Sequence, residues 1–184
     1  MISVKTSKVR RFGALFDIEN FTHIYRRTSA ELLLELGIIT QEIIAFFEKG
    51  GLYPDYEHFL AFSGSIPGEI REVLKMYKWR CKEPRDFSER GVKGAQIADK
   101  LLICYVEECL NGNDEMPKHL ALISGDGGFV KITRAMKNAG HRIYVFGWGS
   151  NRFETERITS EALKREANAF VSLETLIGQQ LIEN

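Results

Sequence analysis

LALISGDGGFVKITRAMKNAGHRIYVF, residues 120–146, decides the fold. Leu120-Ala121-Leu122-Ile123 is a continuous apolar run that stops at Ser124-Gly125-Asp126, the pattern of a strand buried on both faces. Gly127–Asn138 has helical spacing, and Arg142–Phe146 returns to a strand. Strand, helix and strand in succession make a βαβ unit, whose two strands lie parallel.

Outward from this unit the same alternation recurs. Phe12-Gly13-Ala14-Leu15-Phe16 is a compact apolar run ending at Asp17. Two helical stretches follow, the longer from near Ser29 through Leu32–Leu34, Ile38, Ile39, Ile43, Ile44, Phe46 and Phe47, closed by Gly50-Gly51. His58–Phe62 is a second strand, Glu69–Tyr77 a helix, and Trp79-Arg80-Cys81 a short third strand. Lys82–Gly94 is polar, carries Pro84, Gly91 and Gly94, and reads as a loop. Ile97–Leu110 is helical through Leu101, Leu102, Tyr105 and Val106; Thr159–Glu166 is a helix, and Ala169–Val171 a further short strand. The expectation is an α/β three-layer sandwich with a mainly parallel central sheet of about five strands.

The chain has 184 residues, 44% of them hydrophobic and 27% charged, which suits a single globular domain over residues 1–184. No repeat, low-complexity segment or linker divides it. Lys plus Arg and Asp plus Glu each number 25. That balance argues against wholesale wrapping of nucleic acid, although a local basic rim remains compatible with it. Cys81, Cys104 and Cys109 show no CxxC pair and no zinc-finger companion, and read as free thiols in a reducing compartment. His23, His58, His119 and His141 fall in no metal-ligand spacing. The basic start MISVKTSKVRR lacks a signal-type apolar core, and no apolar run approaches the roughly 20 residues of a membrane span. The expectation is a cytoplasmic protein.

In an open parallel sheet, ligands bind beyond the carboxyl ends of the strands, where strand order reverses. Two strands here end on acids: LFDIEN supplies Asp17, Glu19 and Asn20, and LISGDGGF supplies Ser124 and Asp126. Asp99, in KGAQIADKLL, opens the helix leading into the second of these strands. Three carboxylates converging on one edge repel each other unless a cation neutralises them or a proton is taken up. Oxygen donors without His or Cys favour Mg²⁺ or Mn²⁺ over zinc. An aspartate just past a strand also serves as a helix N-cap or an Asx turn, so each acid alone has a purely structural reading.

These motifs occur in a known order. A strand ending D-x-x-N (Asp17, Asn20), a K-G…A-D segment opening a helix (Lys93-Gly94, Ala98-Asp99) and a strand ending S-G-D-x-x-F (Ser124-Gly125-Asp126, Phe129) resemble the NYN domains, PIN-like metal-dependent ribonucleases. SEALKREANAFVSLETL, residues 160–176, resembles the family's closing helix, strand and helix, so the likeness spans about residues 12–177. It implies that Asp17, Asp99 and Asp126 are catalytic and hold Mg²⁺ or Mn²⁺, with Asn20 and Ser124 positioning ligands or phosphate. It also implies RNA, chiefly single-stranded, as partner; the oligomeric state stays open, a homodimer included.

The chain departs from the family pattern in three places. Gly128 stands where S-G-D-x-D-F carries its second aspartate, and Asn168 where the closing A-D-x-F carries an acid. A gapless register from Lys93-Gly94 puts Gln96 at the acidic position, whereas the helical pattern beyond Asp99 favours Asp99. The site then keeps three of four carboxylates, with Glu19 as a substitute to be tested.

From Lys75 to Lys93 lie seven basic residues, Arg90 and Lys93 among them, interleaved with Tyr77, Trp79 and Phe87. Basic groups contact phosphates and aromatics stack on splayed bases, so Lys93, Arg90 and Trp79 are substrate-binding candidates. The alternative is a solvated helix face with Trp79 in the core. Three functions compete: a Mg²⁺/Mn²⁺-dependent endoribonuclease, a catalytically weak RNA- or nucleotide-binding module, and a phosphatase of the haloacid-dehalogenase type, for which LFDIEN offers D-x-E.

Overall fold

The computed structural model describes residues 9–20, 29–84, 96–112, 115–149 and 158–176, with side chains in the first long helix described from residue 34 onward. Six strands form one sheet: β1 (Arg11–Asp17), β2 (Tyr53–Phe62), β3 (Arg80–Lys82), β4 (His119–Ile123), β5 (Arg142–Gly147) and β6 (Ala169–Ser172). Every pairing is parallel, in the order β3-β2-β1-β4-β5-β6. The connecting helices are α1 (Ser29–Glu48), α2 (Gly68–Met76), α3 (Ile97–Leu110), α4 (Val130–Asn138) and α5 (Glu161–Glu166). The fold class expected from the strand–helix alternation is the one observed, with six strands rather than about five.

Two apolar layers cover the sheet, because strand side chains alternate between its faces. Phe12, Ala14, Phe16, Phe59, Ala61, Ala121, Ile123 and Phe146 point to one face, under α1 and α2. Leu15, Leu60, Phe62, Leu120, Leu122, Ile143 and Val145 point to the other, under α3, α4 and α5. The first layer is aromatic: Phe12 stacks on Phe47 with ring centroids 4.2 Å apart, and Phe59 meets Trp79 at 5.1 Å. Gly37 lets α1 come close to the end of α2, since a Cβ there would lie 2.2 Å from the Tyr77 hydroxyl.

β2 begins five residues earlier than the apolar run announced. Its first half, Tyr53–His58, is polar, and its pairing with β1 skips between Phe12 and Ala14. Pro54 is tolerated because β3 pairs only with Leu60–Phe62, so the outer side of that half carries no ladder. The segment expected to be one helix over Gly127–Asn138 starts with a 3-10 turn, Gly127–Phe129. The shorter helical stretch expected before Ser29 lies outside the described residues, as does most of the loop after Lys82. Cys109 is buried and Cys81 and Cys104 half-buried, all three as free thiols. Among the described residues no helix is long and apolar enough to cross a membrane.

Candidate active site at the carboxyl edge

β1 lies at the centre of the sheet, with the chain leaving it first toward β2 and β3 and later filling in β4, β5 and β6 on the other side. Order therefore reverses between β1 and β4, and the crevice beyond their carboxyl ends is where such a sheet binds ligands. Asp17 is the last residue of β1. Phe16 pairs with Ile123, so Asp17 and Ser124 leave the sheet side by side.

Asp17 is only 1% exposed. Its Oδ2 accepts a hydrogen bond from the Ser124 hydroxyl at 2.9 Å, and its Oδ1 accepts from the Asn20 N–H at 3.3 Å. Burial and then the negative charge of Asp99 push its carboxyl up to about 7, against the two hydrogen bonds, which favour the ionised form; Glu19 adds a smaller repulsion. Asp99 stands in the first turn of α3, the helix that packs on β1 and β2. Two acids from distant parts of the sequence thus act on one another at the switch point.

The residues around this pair are themselves tied together. Asn20 is buried and its Oδ1 accepts from the Gly125 N–H at 3.0 Å, joining the turn after β1 to the loop after β4. Ser124, wholly buried, accepts from the Asp126 N–H at 3.1 Å while donating to Asp17. Asn20 and Ser124, expected to position ligands or phosphate, are both buried and hold Asp17 and the loop after β4 in place. Asp126 Oδ1 accepts from the Gly128 N–H at 2.6 Å and caps the 3-10 turn.

The cluster of three convergent acids expected from the strand ends is not assembled. Among the described residues no three His, Cys, Asp or Glu side chains stand close enough to hold an ion together. What the site offers is the Asp17–Asp99 pair, with Asp126 on the neighbouring strand end. This still suits a hard cation: Mg²⁺ is typically held by one or two carboxylates, its remaining positions filled by water and phosphate oxygens. A buried carboxylate whose charge is disfavoured by burial and by a second acid is the group that a cation would relieve.

The remaining candidates separate by position. Trp79 is a correction: its ring is 3% exposed, its Nε1 donates to the Thr40 hydroxyl at 2.9 Å, and it packs on Phe16 and Phe59, so it cannot stack on a base. Lys75, Lys78 and Arg80 lie toward the amino ends of the strands, where Lys75 pairs with Glu72, Arg80 with Glu57, and Lys78 sits over the Tyr56 ring. Lys82 is nearer the site, level with Phe62, which pairs with Asp17. Arg90 and Lys93 lie outside the described residues. Asn168 is at the opposite edge: its Oδ1 accepts from the Ile143 N–H at 2.8 Å, level with Gly13 and so about 13 Å along the strands from the level of Asp17. Its replacement of an acid therefore takes nothing from the site.

Pattern reading gave no site role to the segment before α5 and offered Glu19 only as a substitute acid. The segment before α5 docks on the ends of β4 and β5, Ser160 N–H donating to Gly125 O and Thr159 N–H to Trp148 O, both at 2.9 Å. Gly127 lets the two segments pack closely, since a Cβ there would lie 3.0 Å from the Ser160 hydroxyl oxygen. Glu19 directs its carboxylate at the backbone amides of Gly64 and Ala98.

The NYN domain family model matches residues 11–174, which takes in all six strands. The chain belongs to the NYN domain family. Membership brings with it a PIN-like nuclease fold and displaces the dehalogenase-type reading of LFDIEN. The crystal structure of a protein of unknown function from Vibrio parahaemolyticus is similar to this NYN domain at a TM-score of 0.57 and 15% identity. The match covers 91% of this chain and 96% of that one. At that identity the likeness concerns the fold. No curated protein is significantly similar to this NYN domain.

Proposed function

We propose that this NYN domain is a Mg²⁺- or Mn²⁺-dependent endoribonuclease with a reduced acidic site. The observation that carries this reading is the buried Asp17 carboxylate at the β1–β4 switch point, raised to about 7 by burial and by Asp99. Asp17 and Asp99 would hold the ion, and Asp126 would add a ligand on leaving the Gly128 N–H. Bound there, a divalent cation lowers the pKa of a water and stabilises charge on a phosphodiester oxygen. Ser124 and Asn20 keep the Asp17 oxygens aimed and withhold them from bulk water. Lys82, Arg90 and Lys93 are the cations that would meet the phosphate backbone of a single strand.

Mn²⁺ titration by calorimetry and cleavage of a single-stranded RNA, on the wild type and on Asp17→Asn, test the proposal. Binding and cleavage should both be present in the wild type and both be lost in the variant. RNA that is bound but left whole in Mn²⁺ would overturn it in favour of a binding module, a reading that Gly128 favours by omitting one carboxylate.

A further inference from the structure

We propose that Glu19 is a positioning residue: from the turn after β1 it caps the N-terminus of α3 and so holds Asp99 at the crevice beside Asp17. The inference rests on reading Asp17 and Asp99 as the ion-holding pair, but its structural half is independent of any metal.

α3 lacks a cap of its own. The residue before its first turn, Gln96, is left-handed at φ 57°, ψ 49°, and its side chain makes no capping bond. An ordinary N-cap residue is extended and accepts from the N–H two or three positions on. Here the Ala98 N–H, second in the helix, donates at 3.4 Å to Glu19 Oε2, from a residue 79 positions earlier in the chain. The other oxygen, Oε1, accepts from the Gly64 N–H at 2.6 Å and from the Ser63 hydroxyl at 3.4 Å. One carboxylate thereby joins the turn after β1, the end of β2 and the start of α3. Its negative charge also suits the positive end of the helix dipole.

The neighbouring sequence fits this arrangement. A Cβ on Gly64 would lie 3.1 Å from Glu19 Oε1 and 3.2 Å from Ile97 Cβ, so a side chain there would crowd the place where the three segments meet. Asp99 directly follows Ala98, on the helix turn that Glu19 holds. The charge of Asp99 opposes that of Asp17, and the start of α3 needs an anchor to stay where that repulsion acts. Both Glu19 oxygens accept from amides and a hydroxyl, which fixes the carboxylate on the start of α3, one residue from Asp99.

The test begins with metal-free protein and amide hydrogen exchange at Gly64 and Ala98. Glu19→Ala should speed exchange at both, by roughly fivefold for a lost cap. Glu19→Gln keeps one carbonyl oxygen for Gly64 but presents an NH₂ to Ala98, so Gly64 should stay protected while Ala98 loses protection. In the wild type, saturating Mg²⁺ should leave both amides protected. Each variant should weaken Mn²⁺ binding by about tenfold, as loss of a group supporting a ligand does. In an Asp99→Asn background Glu19→Gln should have no further effect on Mn²⁺ affinity.

Unchanged exchange in Glu19→Ala would overturn the cap. Release of the two amides by Mg²⁺ in the wild type would make Glu19 a ligand and overturn the positioning role, as would full additivity with Asp99→Asn. A wild type that binds no divalent ion would sink the nuclease reading, and with it the link to Asp99, while the metal-free exchange pattern would still decide the cap.

Discussion

Asp17→Asn should make the metal-free protein more stable above neutral pH while destroying its affinity for divalent ions. The Asp17 carboxyl lies at about 7 in the folded protein against an ordinary 3.8. Below about pH 4 it is protonated in both the folded and unfolded states and has no differential effect. As pH rises from there to about 7 the unfolded chain ionises first, and the folded state loses stability throughout that window. About three pKa units at 1.36 kcal/mol each set a ceiling of about 4 kcal/mol above pH 7. Relaxation and water entry around a buried charge reduce this to about 2 kcal/mol, or roughly 4–8 °C in Tm for a chain of this size.

Asn is isosteric with Asp; its carbonyl can accept from the Asn20 N–H while its amide donates to the Ser124 hydroxyl oxygen, so the packing survives. Denaturation of both proteins in chelator at pH 5 and pH 8.5 reads the effect, and the comparison cancels the other titrating groups. The wild type should fall relative to the variant between the two pH values. Mg²⁺ should then restore only the wild type, by about 2.7 kcal/mol at a hundredfold excess over Kd. Parallel pH curves, or a variant less stable than the wild type at pH 8.5, would refute the buried-charge reasoning.

Gly128→Asp should raise Mn²⁺ affinity and RNA cleavage together, whereas Gly128→Ala should change neither. The position is exposed and free of positive φ, and among the described residues the atoms near a built Cβ belong to the Asp126 carboxylate, at 3.2 Å. Asn168→Asp should leave Mn²⁺ affinity unchanged in the same titration, since either side chain can accept from the Ile143 N–H at the far edge. Trp79→Ala should cost about 3–5 kcal/mol in urea denaturation through loss of core packing, with RNA affinity per folded molecule unaltered.

The strands were legible because burial on both faces leaves a local record. Phe12–Phe16 and Leu120–Ile123 are apolar without interruption, and each stops at the first residue that leaves the sheet. The start of β2 left no such record: Tyr53–His58 pairs on one side only and stays polar. The parallel sheet and the acids at its carboxyl edge followed from the alternation of elements. Those are local properties, written in consecutive residues.

What each acid does was decided by tertiary structure alone. LFDIEN supplies three polar side chains that look equivalent in the sequence, yet Asp17 is buried beneath Ser124, Glu19 reaches the amides of Gly64 and Ala98, and Asn20 ties down Gly125. Asp126 turns to its own loop and Asn168 lies at the opposite edge. Trp79, flanked by Lys78 and Arg80, looks like part of a basic aromatic surface, yet just before β3 it enters the core beneath α1 and meets the Thr40 hydroxyl. The physical reason is the same in each instance: a polar side chain takes its role from the donor or charge it meets, and those partners lie up to 107 positions away in the chain.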